Sequence, residues 1–319
     1  MKVLVLGASG FVGRRIVAAM VDRHGPQAVI AGVRRLGSGP AGVEARIVDA
    51  CDMGAVEAAA QGTTHIINCV MGSDRAIVES ARTAIAAAER WKLDGLVHFS
   101  SVAVYGDLEG DIHEDAAQGG GVDSYGAAKV EAEAVLRASP YRNVTMLRPG
   151  LVHGPGSALW TDRIACLLRA GRLGDLGARG EGVCNLVHVD DVAAFAIHCL
   201  GETEARAYHL VTPDPPSWNG YLTDFARALG LPPRHIGAGR LSAERYAAYP
   251  LKIIEMLGSR AGIATPPPMT PGLTRLFDRR AYYVSDAAYA ALPKSTGHAT
   301  AIADSAAWVR ATWAGTASG

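Results

Sequence analysis

The chain has 319 residues, 49% of them hydrophobic, with 31 basic side chains against 31 acidic ones. That length supports one large body or two intimately joined ones, and the even charge balance offers no global field for nucleic acid or an anionic membrane surface. The five cysteines (Cys51, Cys69, Cys166, Cys184, Cys199) are scattered and form no Cys-x-x-Cys pair, so neither a disulfide framework nor a zinc site is indicated, and a reducing cytoplasm fits.

Val3 to Leu6 is too short an apolar run for a signal peptide and reads as a strand. No apolar run approaches the roughly 20 residues of a membrane span, so a soluble, cytoplasmic protein is expected. The strand leads into Gly7-Ala8-Ser9-Gly10-Phe11-Val12-Gly13, and then into a helical pattern in which Val12, Ile16 and Met20 share a face until Gly25-Pro26 ends it. Strand, glycine turn and helix in this order open a dinucleotide-binding unit, because glycines let the backbone approach a pyrophosphate at a positive helix end. Gly7, Ser9, Gly10, Phe11, Val12 and Gly13 are the candidate cradle, with spacing Gly-x-x-Gly-x-x-Gly.

A second strand, Ala28 to Val33, runs into Arg34-Arg35 where an NAD-preferring site usually places an acid for the ribose. Guanidinium groups there pair instead with a 2′-phosphate, so NADP(H) is favoured, with NAD(H) the possible alternative if the two arginines are only a solvated loop. A third strand, Ala45 to Val48, delivers Asp49 and Ala50 toward an adenine ring, while Asp52 reads as the cap of the next helix. His65 to Val70 is the fourth strand, and its end (Cys69, Val70, Met71) lies by the cofactor if the sheet is doubly wound. Residues 73 to 91 form a long helix whose stripe of Ile77, Ala81, Ala84, Ile85 and Ala88 suits close helix packing, internal or between subunits.

The fifth strand, Leu96 to Phe99, delivers Ser100-Ser101-Val102-Ala103-Val104-Tyr105-Gly106 to the edge where open parallel sheets collect ligands. An irregular acidic loop containing Gly119-Gly120-Gly121 follows. In Ser124-Tyr125-Gly126-Ala127-Ala128-Lys129, the Tyr and Lys stand four apart and share a helix face. An ammonium beside a phenol, whose free pKa is about 10, favours the phenolate and makes the Tyr a usable acid/base.

With these residues in place the chain resembles the extended short-chain dehydrogenase/reductase superfamily, also called NAD-dependent epimerase/dehydratase. The likeness is carried by Gly7-x-x-Gly10-x-x-Gly13, by Ser100 to Gly106, by Tyr125-x-x-x-Lys129, by Arg148-Pro149-Gly150 and by His188-Val189-Asp190-Asp191-Val192. It implies an α/β fold, a doubly wound parallel Rossmann-type sheet with a smaller, mostly helical C-terminal substrate-binding region. It further implies Tyr125 as catalytic acid/base, Lys129 as its partner and holder of the nicotinamide ribose, and Ser101 as the hydroxyl that polarises the substrate oxygen. Pro149, Gly150 and Val152 would meet the nicotinamide end, Asp190 and Asp191 would be structural, and a homodimer through the helices near 73 to 91 and 125 to 138 is expected.

Two positions depart from the nucleotide-sugar enzymes of this superfamily. Where these usually carry an Asn after the Arg-Pro pair and an Arg before the Val-Asp-Asp segment, the chain has Leu151 and Cys184. Without that amide and guanidinium a diphosphate loses its best partners. A 4,6-dehydratase is disfavoured as well, since Ser101-Val102-Ala103 stands where those resemble Thr-Asp-Glu.

Residues 1–150 and about 181–211 are therefore expected to bind the dinucleotide, and about 151–180 and 212–319 to form the substrate region. Helical patterns lie near 218 to 229, 242 to 258 and 300 to 313, separated by the connectors 212–216 and 265–268. Val102, His153, Trp160 and His188 are candidate substrate residues, with Tyr246 and Met256 as further pocket candidates. The expected activity is NADP(H)-dependent interconversion of a carbonyl and a secondary alcohol on a small non-nucleotide metabolite. The rivals are a nucleotide-sugar epimerase with tightly held, recycled NAD and a non-catalytic dinucleotide-sensing protein.

Overall fold

The computed structural model describes residues 1–244, 269–292 and 295–317. Tyr246, Met256, the connector 265–268 and most of the helical pattern 242–258 lie outside the described residues. Seven parallel strands form the central sheet: β1 Val3–Leu6, β2 Val29–Val33, β3 Glu44–Ile47, β4 His65–Asn68, β5 Gly95–Phe99, β7 Val144–Pro149 and β10 Arg206–Leu210. Their spatial order is β10-β7-β5-β4-β1-β2-β3, a doubly wound arrangement whose direction reverses between β1 and β4, which opens a crevice at their carboxyl ends. Leu4 pairs in register with Ile30 on one side and Ile66 on the other.

Alternation along the strands assigns the two faces. Val3 and Val5 pack with Ile16, Val17 and Met20 of α1 (Phe11–His24) and with Val192 and Phe195 of α6 (Val189–His198). Leu4 and Leu6 pack on the opposite side, with Val56 of α2 (Met53–Ala60), Ile77 and Ala84 of α3 (Asp74–Trp91), and Ala132 and Leu136 of α4 (Ser124–Ala138). A strand covered on both faces must be apolar at every position, which is why β1 reads as an unbroken hydrophobic run. The small-residue stripe expected on the 73–91 helix lies inside this layer, and Ala81, Ala84 and Ala88 are fully buried.

A second core joins α5 (Arg163–Arg169) and α7 (Trp218–Ala228) to the helices Pro271–Phe277 and His298–Ala317 around Trp218, Tyr221, Phe225 and Phe277. Two pairings escaped the sequence reading. Part of the loop expected to be irregular is β6 (Gly110–Ile112), which pairs in parallel with β11 (Ala281–Tyr283), and β8 (Leu151–His153) pairs with β9 (Leu186–His188). Each is three residues long and its partner is remote in the chain, so no local periodicity announces it. The helix Asp286–Ala291 lies against the sheet layer through Ala288, although its sequence position falls in the expected substrate region.

Candidate active site

A cleft of about 610 Å³ runs along the carboxyl ends of the strands, from the glycine turn to Tyr125, Pro149 and Trp160. At its first end Gly7 has φ +80, a conformation that disfavours side chains, and an added methyl group there would stand 3.0 Å from the Cys69 carbonyl oxygen. A methyl group at Gly13 would stand 2.3 Å from the carbonyl oxygen of Gly7. The absence of both lets α1 begin tight against the turn. That helix has no side-chain cap and no acid in its first turn, so the positive end of its dipole is left to an anion from outside the chain. This backbone cradle fits a dinucleotide pyrophosphate.

Arg34 lines the cleft beyond β2, and Asp49, Ala50 and Cys51 line it beyond β3. Arg35 is exposed and does not contribute to the wall. Arg14 ties this corner together, its guanidinium donating to the carbonyls of Ser9 at 2.9 Å and Ser38 at 2.6 Å. The Asp49 carboxylate accepts from the Cys51 amide at 3.0 Å, and Asp52 caps α2 through the Ala55 amide at 2.9 Å.

At the other end the cleft is lined by Ser101 and Tyr125. Ser101 starts the tight turn Val102–Tyr105, accepting from the Ala103 amide at 3.1 Å. Asp123 caps α4 through the Gly126 amide at 2.8 Å, and Gly126 presses the helix onto the serine turn, since a methyl group there would stand 2.7 Å from the Ala103 carbonyl oxygen. Ser101 and Tyr125 both line this end of the cleft, the serine near enough to favour the phenolate, and the Tyr125 hydroxyl donates to Met71 Sδ at 3.9 Å.

Lys129 is 1% exposed. Its ammonium donates to the Phe99 carbonyl at 2.6 Å and stands 5.8 Å from the centre of the Tyr125 ring. Burial pulls it down to about 8, with the carboxylate of Glu133 opposing. The expected lowering of the Tyr125 phenol is not found in the free protein. Burial raises its pKa, the nearby Ser101 side chain opposes the rise, and the Asp123 charge adds to it. The physical reason is that Lys129 is directed to a backbone carbonyl and leaves the phenol dominated by desolvation.

Beneath these groups lies a buried polar network. Glu133 stands four residues after Lys129, a spacing that could have identified it in the sequence. It accepts from Ser100 Oγ at 2.5 Å, from Arg148 Nε at 2.9 Å and Nη2 at 2.7 Å, and from Gln118 at 2.9 Å. Together these hold its carboxyl down at about 2 against the opposing effect of burial. Arg148 also donates to Tyr105, whose hydroxyl meets His209 Nε2 at 2.6 Å. Ser100, the rival of Ser101, is thus committed to Glu133.

The expected cofactor residues Cys69, Val70, Met71, Pro149, Gly150 and Val152 all line the cleft, and so does Trp160. Val102, His153 and His188 do not. The side chain of Val102 packs with Val104 and Tyr105. His153 and His188 are buried edge to face, their rings 5.5 Å apart, and burial lowers both, His153 to about 3. No strand was expected at either segment, and it is the pairing of β8 with β9 that turns these rings into the protein. Asp190 pairs with Arg15 of α1, and Asp191 accepts from the Thr296 amide and hydroxyl at 2.8 Å each. Ser157 and Leu159 of the wall were missed, because nothing in their segment carries a motif.

No helix among the described residues is long and apolar enough to cross a membrane. The model of the NAD dependent epimerase/dehydratase family matches residues 3–210. A 3-diazoavenalumate denitrifying reductase from a Streptomyces species is 27% identical over 257 residues, 73% of this chain and 83% of that protein. Protein YeeZ of Escherichia coli strain K12 is 27% identical over 163 residues, 50% of this chain and 55% of its own length. Among solved structures, the UDP-glucose 4-epimerase of Thermotoga maritima with UDP-glucose superposes with a TM-score of 0.74 at 14% identity, covering 98% of this chain and 100% of that one. The Thermus thermophilus UDP-glucose 4-epimerase complex with NAD gives 0.69 at 21% identity, covering 97% and 99%. The two structures share the fold, and the family match spans the glycine cradle, the serine turn and the Tyr125 helix: the chain belongs to the NAD-dependent epimerase/dehydratase family and is an enzyme of the extended short-chain dehydrogenase/reductase type.

Proposed function

We propose that the enzyme is an NADP(H)-dependent oxidoreductase that interconverts a carbonyl and a secondary alcohol on a small, non-nucleotide metabolite. The observation that carries this reading is that Ser101 and Tyr125 line the same cleft as the Gly7–Gly13 cradle. When bound, the dinucleotide supplies or accepts a hydride. The protein's part is to hold the substrate oxygen between the two hydroxyls and to move its proton. With its pKa raised, Tyr125 is a neutral phenol at physiological pH, the form that donates to the oxygen of a carbonyl being reduced. In this reading the Lys129 ammonium, 5.8 Å from the Tyr125 ring centre, favours the phenolate left behind.

Two observations support the cofactor and substrate class. Arg34 stands at the end of β2 with no hydrogen-bonded partner among the described residues, as a 2′-phosphate ligand would. At the positions where nucleotide-sugar enzymes carry an amide and a guanidinium, Leu151 packs against the second core and Cys184 is fully buried. Neither can grip a diphosphate.

A second reading, epimerisation of a nucleotide sugar with retained NAD, is favoured by the UDP-glucose 4-epimerase neighbours, which cover nearly the whole chain. The purified protein separates the two. The oxidoreductase consumes reduced dinucleotide in step with a carbonyl substrate, and Tyr125→Phe lowers kcat/KM by roughly 10²–10⁴-fold while the dinucleotide Kd stays unchanged. Release of NAD on denaturation, together with turnover of a nucleotide sugar at constant reduced-nicotinamide absorbance, would establish the epimerase instead.

A further inference from the structure

The cleft changes character along its length. Among the described residues on its wall the charged side chains are Arg34 and Asp49, which follow β2 and β3 on the side of the sheet away from β5 and β7. The rest of the wall carries no charge: Ser101, Tyr125 and Ser157 share it with the apolar side chains of Val70, Met71, Val152, Leu159 and Trp160. Met71 is 64% exposed and Leu159 56% exposed. Single exposed apolar side chains are ordinary on a protein surface. These two come from different parts of the chain, one after β4 and one from the turn Ala158–Asp162 beside the second core, and they meet at one cleft.

Met71 has a more specific relation to the chemistry. Its sulfur accepts from the Tyr125 hydroxyl, so it occupies a position that the substrate oxygen must take. A thioether on three rotatable bonds is easily displaced and then makes a favourable contact with an aromatic ring. Trp160 is more firmly held, with its amide bonded to the Ser157 hydroxyl at 3.3 Å and its ring 6.3 Å from that of Trp218. A fixed indole beside two adaptable apolar side chains suits a planar body.

We propose that this part of the cleft binds an apolar aromatic group next to the reacting carbon, so that the substrate class is an uncharged aryl-bearing ketone or aldehyde and the corresponding alcohol. The chemical step rests on the oxidoreductase reading above, whereas the binding does not. In the step one hydride passes from the reduced dinucleotide to the carbonyl carbon and one proton from Tyr125 to the oxygen, leaving the alcohol and the oxidised dinucleotide. Met71 and Leu159 act on specificity through contact with the aryl group.

The test combines binding and turnover in the full chain, with benzylacetone, hydroxyacetone and UDP-glucose as probes. Benzylacetone is titrated calorimetrically into Tyr125→Phe saturated with reduced dinucleotide, with and without Leu159→Asn or Met71→Gln. Both positions are largely in solvent, so these changes leave the cores intact. Benzylacetone binds, Leu159→Asn and Met71→Gln each weaken it about 5–10-fold, and UDP-glucose does not compete. In Leu159→Asn with Tyr125 intact, kcat/KM for benzylacetone falls to the same extent while that for hydroxyacetone, too small to reach Leu159, stays constant. Benzylacetone that binds in this pattern without turnover upholds the aryl site and defeats the oxidoreductase reading. Turnover that prefers hydroxyacetone, or benzylacetone binding that is undetectable, displaced by UDP-glucose or indifferent to both substitutions, overturns the aryl site and leaves the redox reading to its own test.

Discussion

Lys129→Met should separate the catalytic value of the buried ammonium from its energetic cost. In the folded protein this group falls from 10.5 to about 8. At about 1.4 kcal/mol for each pH unit, the protonated lysine costs the fold about 3 kcal/mol below pH 8. The sign follows from proton uptake. Between about 8 and 10.5 the unfolded chain holds the proton that the folded chain has lost, so wild-type stability rises with pH across this window and the full penalty applies below it. Methionine has a similar shape and no charge to bury, although it strands the Phe99 carbonyl at a cost of about 1–3 kcal/mol. The variant is therefore expected to match or exceed wild-type stability at pH 7 while losing turnover. Urea melts of both proteins at pH 7 and pH 10 provide the assay, because groups common to both cancel in the difference. Wild type should gain about 2–3 kcal/mol on the variant between those pH values. Parallel pH profiles for the two proteins would refute the reasoning.

Gly13→Ala places a methyl group 2.3 Å from the Gly7 carbonyl oxygen, against rigid backbone. It should cost about 1–3 kcal/mol in stability and weaken dinucleotide binding at least tenfold, as read by thermal melts and calorimetry. Glu133→Gln leaves the Arg148 guanidinium, 1% exposed, without its carboxylate. A loss of about 3–5 kcal/mol is expected in urea melts, and one under about 1 kcal/mol would show that the network is not held by charge. Arg34→Ser should raise the Kd for NADPH about tenfold or more and leave that for NADH unchanged. Equal changes for the two would remove the 2′-phosphate role.

The central sheet, its two-faced burial and the glycine cradle could be read from the chain alone. They rest on local regularities: the unbroken apolar run Val3 to Leu6, the three-residue glycine spacing, and helix faces such as Ile16 with Met20. The family pattern singled out Ser101, Tyr125 and Lys129, of which Ser101 and Tyr125 line the cleft and Lys129 is buried with its ammonium on the Phe99 carbonyl. What sets Ser101 and Tyr125 on one cleft is a tertiary contact, Gly126 of α4 against the Ala103 carbonyl.

Other features had no local signature. His153 and His188 were candidate substrate residues, but the β8–β9 pairing buries them against each other. The direction of the Tyr125 shift reversed because burial and the aim of the Lys129 ammonium are properties of the folded chain, while spacing along a helix records only proximity. Residue type and periodicity thus determined which strands and helices form and which side chains could do chemistry. Only the packed structure decided which of them share a cleft and what protonation each prefers, because desolvation and contact depend on neighbours drawn from distant parts of the sequence.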